Sequence, residues 1–153
     1  MSQESLIPPG FKELIGKETP PVETEVERGA IRKLAEAIGD ANPIYYDDQA
    51  AKEVGGIVAS PTFFTTLRSG GLPEPEFNFG RVSVAAGREV EFFKPIRPGQ
   101  KLTATNKYVD AFERQGRSGR VLYYVNEVTI ADETGEKVAV VRRTMARSAG
   151  RQD

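Results

Sequence analysis

Apolar and polar positions change period twice along the chain. At 22 to 27 "VETEVE" alternates Val or Thr with Glu, the pattern of a short edge strand with one wet face. Ile31, Leu34, Ala35 and Ile38 then fall at i, i+3, i+4 and i+7, and Gly39 follows them directly. This predicts an amphipathic helix over 29–38 with a glycine stop. "DDQAAKEVGG" has a capping Asp, helix formers and a closing Gly pair, which predicts a second, shorter helix. In "GIVASPTFFTTLRSGG" Ser60 stands as N-cap and Pro61 at the first helical position, so a third helix is expected over 61–69, made strongly apolar by Phe63, Phe64 and Leu67. Residues 70–80 are rich in turn formers and acidic, and a mobile loop is expected there.

The second half reads in strands. "RVSVAAGREVEFFKPI", "KLTATNKYVDAFER", "RVLYYVNEVTIAD" and "KVAVVRRTMAR" are rich in Val, Thr, Tyr and Phe, and the joints "RPGQ", "RQGRSG" and "DETGE" carry turn residues. Four strands joined mainly as hairpins are expected. Helices first and an antiparallel meander second is an α+β pattern, with one apolar helix buried against a curved sheet. Residues 1–21 mix Pro, Gly and charge and are expected to form an N-terminal arm across the domain. The domain itself is expected over 22–148, and 149–153 as a tail.

Composition narrows the chemistry. With 153 residues, 39% hydrophobic and 28% charged, the chain fits one globular domain. A net charge of −1 offers no field for nucleic acid or an anionic membrane, and neither partner is expected. No apolar run approaches the roughly 20 residues of a membrane span, and "MSQESLIPPG" lacks the layout of a signal peptide, so a cytoplasmic location is expected. The chain has no Cys and no His. Imidazole catalysis, thiol nucleophiles and His or Cys metal ligation are therefore excluded within one chain, leaving carboxylate, Tyr, Lys or a partner subunit for proton transfer. No loop has the spacing of an oxygen-ligand magnesium or calcium site, and no metal or cofactor is expected.

The pieces "AIGDANPIYYDDQAA", "GIVASPTFFTTL", "REVEFFKPIRPGQKLTAT" and "GEKVAVVRRTMA" together resemble the MaoC-like dehydratase and (R)-specific enoyl-CoA hydratase family, in that family's order and over about residues 22 to 147. The resemblance implies the hot-dog fold, an antiparallel sheet wrapped around a central helix. The family's hydratase motif reads G-D-x-N-P, an aliphatic residue, then His. Here Gly39, Asp40, Asn42, Pro43 and Ile44 are in place, but Tyr45 stands where the His belongs. Tyr, with an ordinary pKa near 10, can donate a proton at neutrality but is a poor base, and loss of an acid–base group typically costs about 10²- to 10⁴-fold in rate.

By the same resemblance Asp40 and Tyr45 are the candidate catalytic residues. Asn42, Ser60, Thr62, Phe63 and Arg142 are the candidate substrate contacts. The N–H of Thr62 would polarise a thioester oxygen at a helix N-terminus, Phe63 and Phe64 with the 70–80 loop would shape an acyl pocket, and Arg142, Arg143 and Arg147 would hold the phosphates of coenzyme A. Each has a plainer reading: a helix-ending turn for Asp40, Asn42 and Pro43, packing for Tyr45 and Tyr46, a cap for Ser60, and a solvated strand face for the arginines.

The resemblance implies an acyl-thioester-binding subunit of a hydratase or dehydratase, paired with a His-containing MaoC-like subunit and bound to acyl-CoA or an acyl carrier protein thioester. The alternatives are a complete homodimeric hot-dog hydratase using Asp40 with Tyr45, and an acyl-CoA binding protein without turnover. A thioesterase ranks last, because no acidic residue follows Pro61 before the loop.

Overall fold

The computed structural model describes residues 4–80 and 82–148, so the tail at 149–153 lies outside the described residues. It contains five strands, β1 (Val22–Glu25), β2 (Ser83–Phe92), β3 (Lys101–Gly116), β4 (Gly119–Ala131) and β5 (Lys137–Ser148), and two α-helices, α1 (Phe11–Leu14) and α2 (Arg28–Ala37). All strand pairings are antiparallel, and the order across the sheet is β1-β3-β4-β5-β2. A curved sheet with helical segments on one face is the α+β, hot-dog arrangement that the sequence implies.

The connections differ from the expected meander in one place. "RQGRSG" and "DETGE" close hairpins between β3 and β4 and between β4 and β5. "RPGQ" does not, because β2 pairs with β5 at the far edge. Residues 93–100 instead cross the helical face. Ile96 O accepts from Ala59 N–H at 2.8 Å, and Gln100 O accepts from Val26 N–H at 2.8 Å. The prolines flanking Arg97 suit such a crossing, since they cannot donate to a sheet ladder.

α2 forms where the periodicity places it. Ile31 and Ala35 are fully buried, Leu34 packs beside them, and Gly39 at φ +71° ends the helix while Asp40 N–H reaches back to Ala35 O at 2.9 Å. The two later helices do not form as expected. Residues 47–56 are turns with one three-ten turn at Lys52–Val54, because Asp47 caps Gln49 N–H at 2.8 Å and Gly55 and Gly56 leave the helical region at φ +82° and +113°. Residues 61–69 hold only the three-ten segment Pro61–Thr66. There the Thr65 and Thr66 hydroxyls donate to the carbonyls of Thr62 and Phe63, three residues back, each at 2.8 Å, a local bond that competes with α-helical pairing.

The core lies between this thin helical cover and the inner face of the sheet. Leu102, Ala104, Val128, Ile130, Ala139 and Val141 meet Ile31, Ala35, Phe63 and Phe64. Burying a side chain such as Ile31 or Ile130 stabilises the fold by about 1.5–3 kcal/mol.

Candidate functional site

Where residues 93–97 cross over residues 44–61, they leave a cleft of about 570 Å³. Arg97 holds its two walls together. Its guanidinium donates to the carbonyls of Val54 at 2.6 Å, Gly56 at 2.9 Å and Ile57 at 3.5 Å. The glycines turn those carbonyls toward it, and a Cβ on Gly55 would stand 3.3 Å from the Arg97 guanidinium. Lys94, on the same crossing segment, pairs with Asp132 at 2.9 Å and with Glu136. These hydrogen bonds raise the Lys94 pKa, that to Asp132 foremost. Both cations are thus engaged within the chain, and the rest of the lining is mostly apolar: Ile44, Val58, Ala59, Phe92, Phe93 and Ile96 are its main surfaces.

Tyr45 and Ser60 also line the cleft, both nearly buried at 6% and 3% exposure, and Tyr45 packs into the hydrophobic core. Ser60 occupies the N-cap position but makes no cap hydrogen bond with its side chain, and its Oγ lies 3.2 Å from Thr62 Oγ1. The Tyr45 phenol is pushed up from its ordinary pKa, first by burial, then by the charge of Asp40 and a hydrogen bond with it. A phenol held protonated in this way is no base at neutral pH, although its hydroxyl can donate and accept hydrogen bonds.

Asp40 itself does not line the cleft. Its Oδ1 accepts from Asn42 N–H at 3.2 Å, Asn42 Oδ1 accepts from Ile44 N–H at 3.2 Å, and the Tyr46 hydroxyl donates to the Asp40 carbonyl. Two successive Asx turns therefore organise residues 40–44, and the rings of Tyr45 and Tyr46 pack edge-on at 6.2 Å against each other. Of the residues singled out in the sequence, Tyr45 and Ser60 meet at the cleft. Asp40 and Asn42 sit behind Tyr45 in the turn, Thr62 is exposed beside Ser60, and Phe63 is in the core.

The three arginines of β5 are dispersed. Arg142 is on the outer face of the sheet, 2.8 Å from Glu127, and does not join the cleft. Arg147 donates to the carbonyls of Phe79 and Gly80 and lies 4.2 Å over the Phe77 ring, which ties down the 70–80 loop. Arg143 borders a crevice beside Phe64 and Leu67.

Sequence reasoning passed over Val54, Phe92, Phe93 and Arg97. The signal was there in "EFFKPIRPG": two consecutive Phe cannot both face inward on a strand, so at least one must be exposed.

Residues 13–141 match the sequence model of the family described as FAS1-like, dehydratase domain region. The chain belongs to that family. This FAS1-like dehydratase domain is 34% identical over 145 residues to a UPF0336 protein of Streptomyces coelicolor, a match covering 89% of this chain and 94% of its relative. Among solved structures it is similar to a chain of the ChsH1-ChsH2 complex from Mycobacterium tuberculosis, with a TM-score of 0.74, 23% identity, and coverage of 89% of this chain and 86% of that one. It is also similar to a chain of the HadBC (3R-hydroxyacyl-ACP dehydratase) complex from the same organism, with a TM-score of 0.65, 23% identity, and coverage of 87% and 96%. The shared fold is the hot-dog fold of MaoC-like dehydratases and (R)-hydratases. Among the described residues of the FAS1-like dehydratase domain, no helix is long and apolar enough to cross a membrane.

Proposed function

We propose that the chain is the acyl-thioester-binding subunit of a cytoplasmic hydratase or dehydratase, acting on enoyl or 3-hydroxyacyl thioesters beside a hot-dog subunit that retains the G-D-x-N-P-x-H motif. The observation that carries this reading is the pairing of an apolar cleft with an acid–base position that cannot cycle protons. Tyr45 is at the cleft but its pKa is raised, and Asp40 is turned into its own loop. Hydration of an enoyl thioester needs one group to take a proton from water and another to deliver one to the carbon alpha to the carbonyl. Here neither role has a free occupant, whereas the apolar walls suit an acyl or pantetheine chain. The heteromeric complexes among the structural relatives agree with a division of labour between subunits.

The test is to purify the chain alone and together with a His-bearing hot-dog subunit, and to follow hydration of short and long enoyl-CoA substrates. Alone, the chain is expected to show little or no turnover; the pair is expected to be active, and Asp40→Asn in this chain should leave the pair within about twofold of its rate, since the substitution touches no proton-transfer group. Robust turnover by the lone chain, lost by about 10²- to 10⁴-fold in Asp40→Asn, would establish the homodimeric enzyme instead.

A further inference from the structure

Two adjacent rows of side chains cross the same four strands on opposite faces of the sheet. On the outer face the register places Lys107 opposite Glu127, Glu127 opposite Arg142 and Arg142 opposite Glu89. Charges alternate along that row, with Arg142 at 2.8 Å and Lys107 at 3.7 Å from Glu127, and Glu18 adds a further acid to Lys107 at 3.3 Å. One residue along, on the inner face, the row runs Tyr108, Asn126, Arg143, Arg88. Its first members are satisfied within the chain: the Tyr108 hydroxyl donates to Pro73 O at 3.0 Å and Asn126 Nδ2 to Asn106 Oδ1 at 2.9 Å. Its last members are two exposed arginines directly opposite each other, and neither makes an ion pair or side-chain hydrogen bond among the described residues. Like charges directly opposite on a sheet destabilise it.

This uncompensated pair sits at the open edge. β2 bonds to β5 on one side, and among the described residues no strand pairs with its other side. Val82, Val84, Phe92 and Phe93 are exposed along it. An unpaired edge with exposed apolar side chains is a template for another strand. Arg88 is near the midpoint of Ser83–Phe92, so antiparallel pairing of two copies along this edge brings Arg88 of each copy close to the two-fold axis, with Arg143 behind it. Four guanidinium groups would gather on one face.

We propose that Arg88 and Arg143 choose the partner at this edge: they oppose pairing with a second copy and favour an unlike hot-dog subunit that presents carboxylates at the facing inner positions. For the identity of the partner this rests on the functional reading above. The charge rule itself is tested without any partner chain or turnover assay, so the two fail separately.

The experiment makes the acidic edge in this same chain, as the double variant Arg88→Glu/Arg143→Glu, and measures self- and mixed association by sedimentation equilibrium, with circular dichroism as the check on folding. The native chain mixed with the Glu variant should associate on the order of tenfold more tightly than either does alone, and the gain should vanish near 1 M salt, where the screening length falls to ~3 Å. The neutral variant Arg88→Gln/Arg143→Gln should self-associate more tightly than the native chain at low salt, which decides the matter if the Glu variant does not fold. A stable native dimer unaffected by either substitution overturns the proposal. So does tight binding of adenosine 3′,5′-bisphosphate that the Gln variant abolishes without any change in association, because the arginines would then serve a ligand phosphate.

Discussion

The two edges of the sheet are finished in opposite ways. On the β1 side the chain covers itself. β1 is short, with Glu23 and Glu25 exposed on it, and the preceding arm continues along β3, where Thr19 N–H donates to Asn106 O at 2.8 Å and Gly16 N–H to Tyr108 O at 2.9 Å. Farther along, Ser5 and Leu6 bond Glu113, and Arg120 donates to Glu4 O at 2.7 Å. On the β2 side nothing comparable exists among the described residues, and Val84 and Phe93 stand 56% and 49% exposed. Short, charged and covered edges resist further pairing, whereas a long bare edge invites it. The molecule therefore has one closed flank and one receptive flank, and Phe92 and Phe93 at the end of the receptive one also line the cleft.

The closed flank can be broken at its anchor. Phe11 is buried against the rings of Tyr108 at 4.8 Å and Tyr124 at 6.3 Å. Phe11→Ala is expected to destabilise the chain by about 3–5 kcal/mol in urea unfolding, as large-to-small core changes do. A smaller loss, about 0.5–1.5 kcal/mol, is expected for Tyr108→Phe, which removes the hydrogen bond to Pro73 O. Burial, with smaller contributions from Tyr124 and Glu74, pushes the Tyr108 phenol up to about 12. Because the folded value lies above the unfolded one near 10, this group's share of stability is complete below about pH 10 and is lost as pH rises toward 12. Unfolding curves across that range should show the alkaline decline in the native chain and a flatter one in Tyr108→Phe. The receptive flank should respond least of all in the lone chain: Val84→Lys is expected to change its stability by no more than about 0.5 kcal/mol while abolishing co-elution with a hot-dog partner. A large loss of stability in the lone Val84→Lys chain would mean that this edge is already engaged within the molecule.

The elements that stand on strong periodicity were readable from the sequence. Ile31, Leu34, Ala35 and Ile38 define α2, and the Val- and Thr-rich runs define β2 to β5, because burial on one face imposes a repeat that needs no tertiary knowledge. Pro61–Thr66 was not readable as three-ten, since Pro, Thr and Phe in a row satisfy a helix template, and only the hydroxyl bonds of Thr65 and Thr66 show that the α ladder gives way. The placement of β2 beside β5 was hidden for a different reason. A Pro-Gly joint looks the same whether it closes a hairpin or carries the chain across the fold. At the site, the motif residues Asp40 to Tyr45 were visible, but Phe92, Phe93 and Arg97 act through a crossing that periodicity does not describe.

The strand order also carries a consequence for biosynthesis. β2 emerges from the ribosome early, yet the strand it bonds to, β5, is the last to be made. Until β5 follows, Val84, Phe92 and Phe93 therefore belong to a segment with both edges free, the kind of intermediate that aggregates. Once β5 arrives, one edge is sealed and the other is still bare. Under the proposed function, a nascent chain of this design gains from having the partner subunit synthesised close by and at the same time.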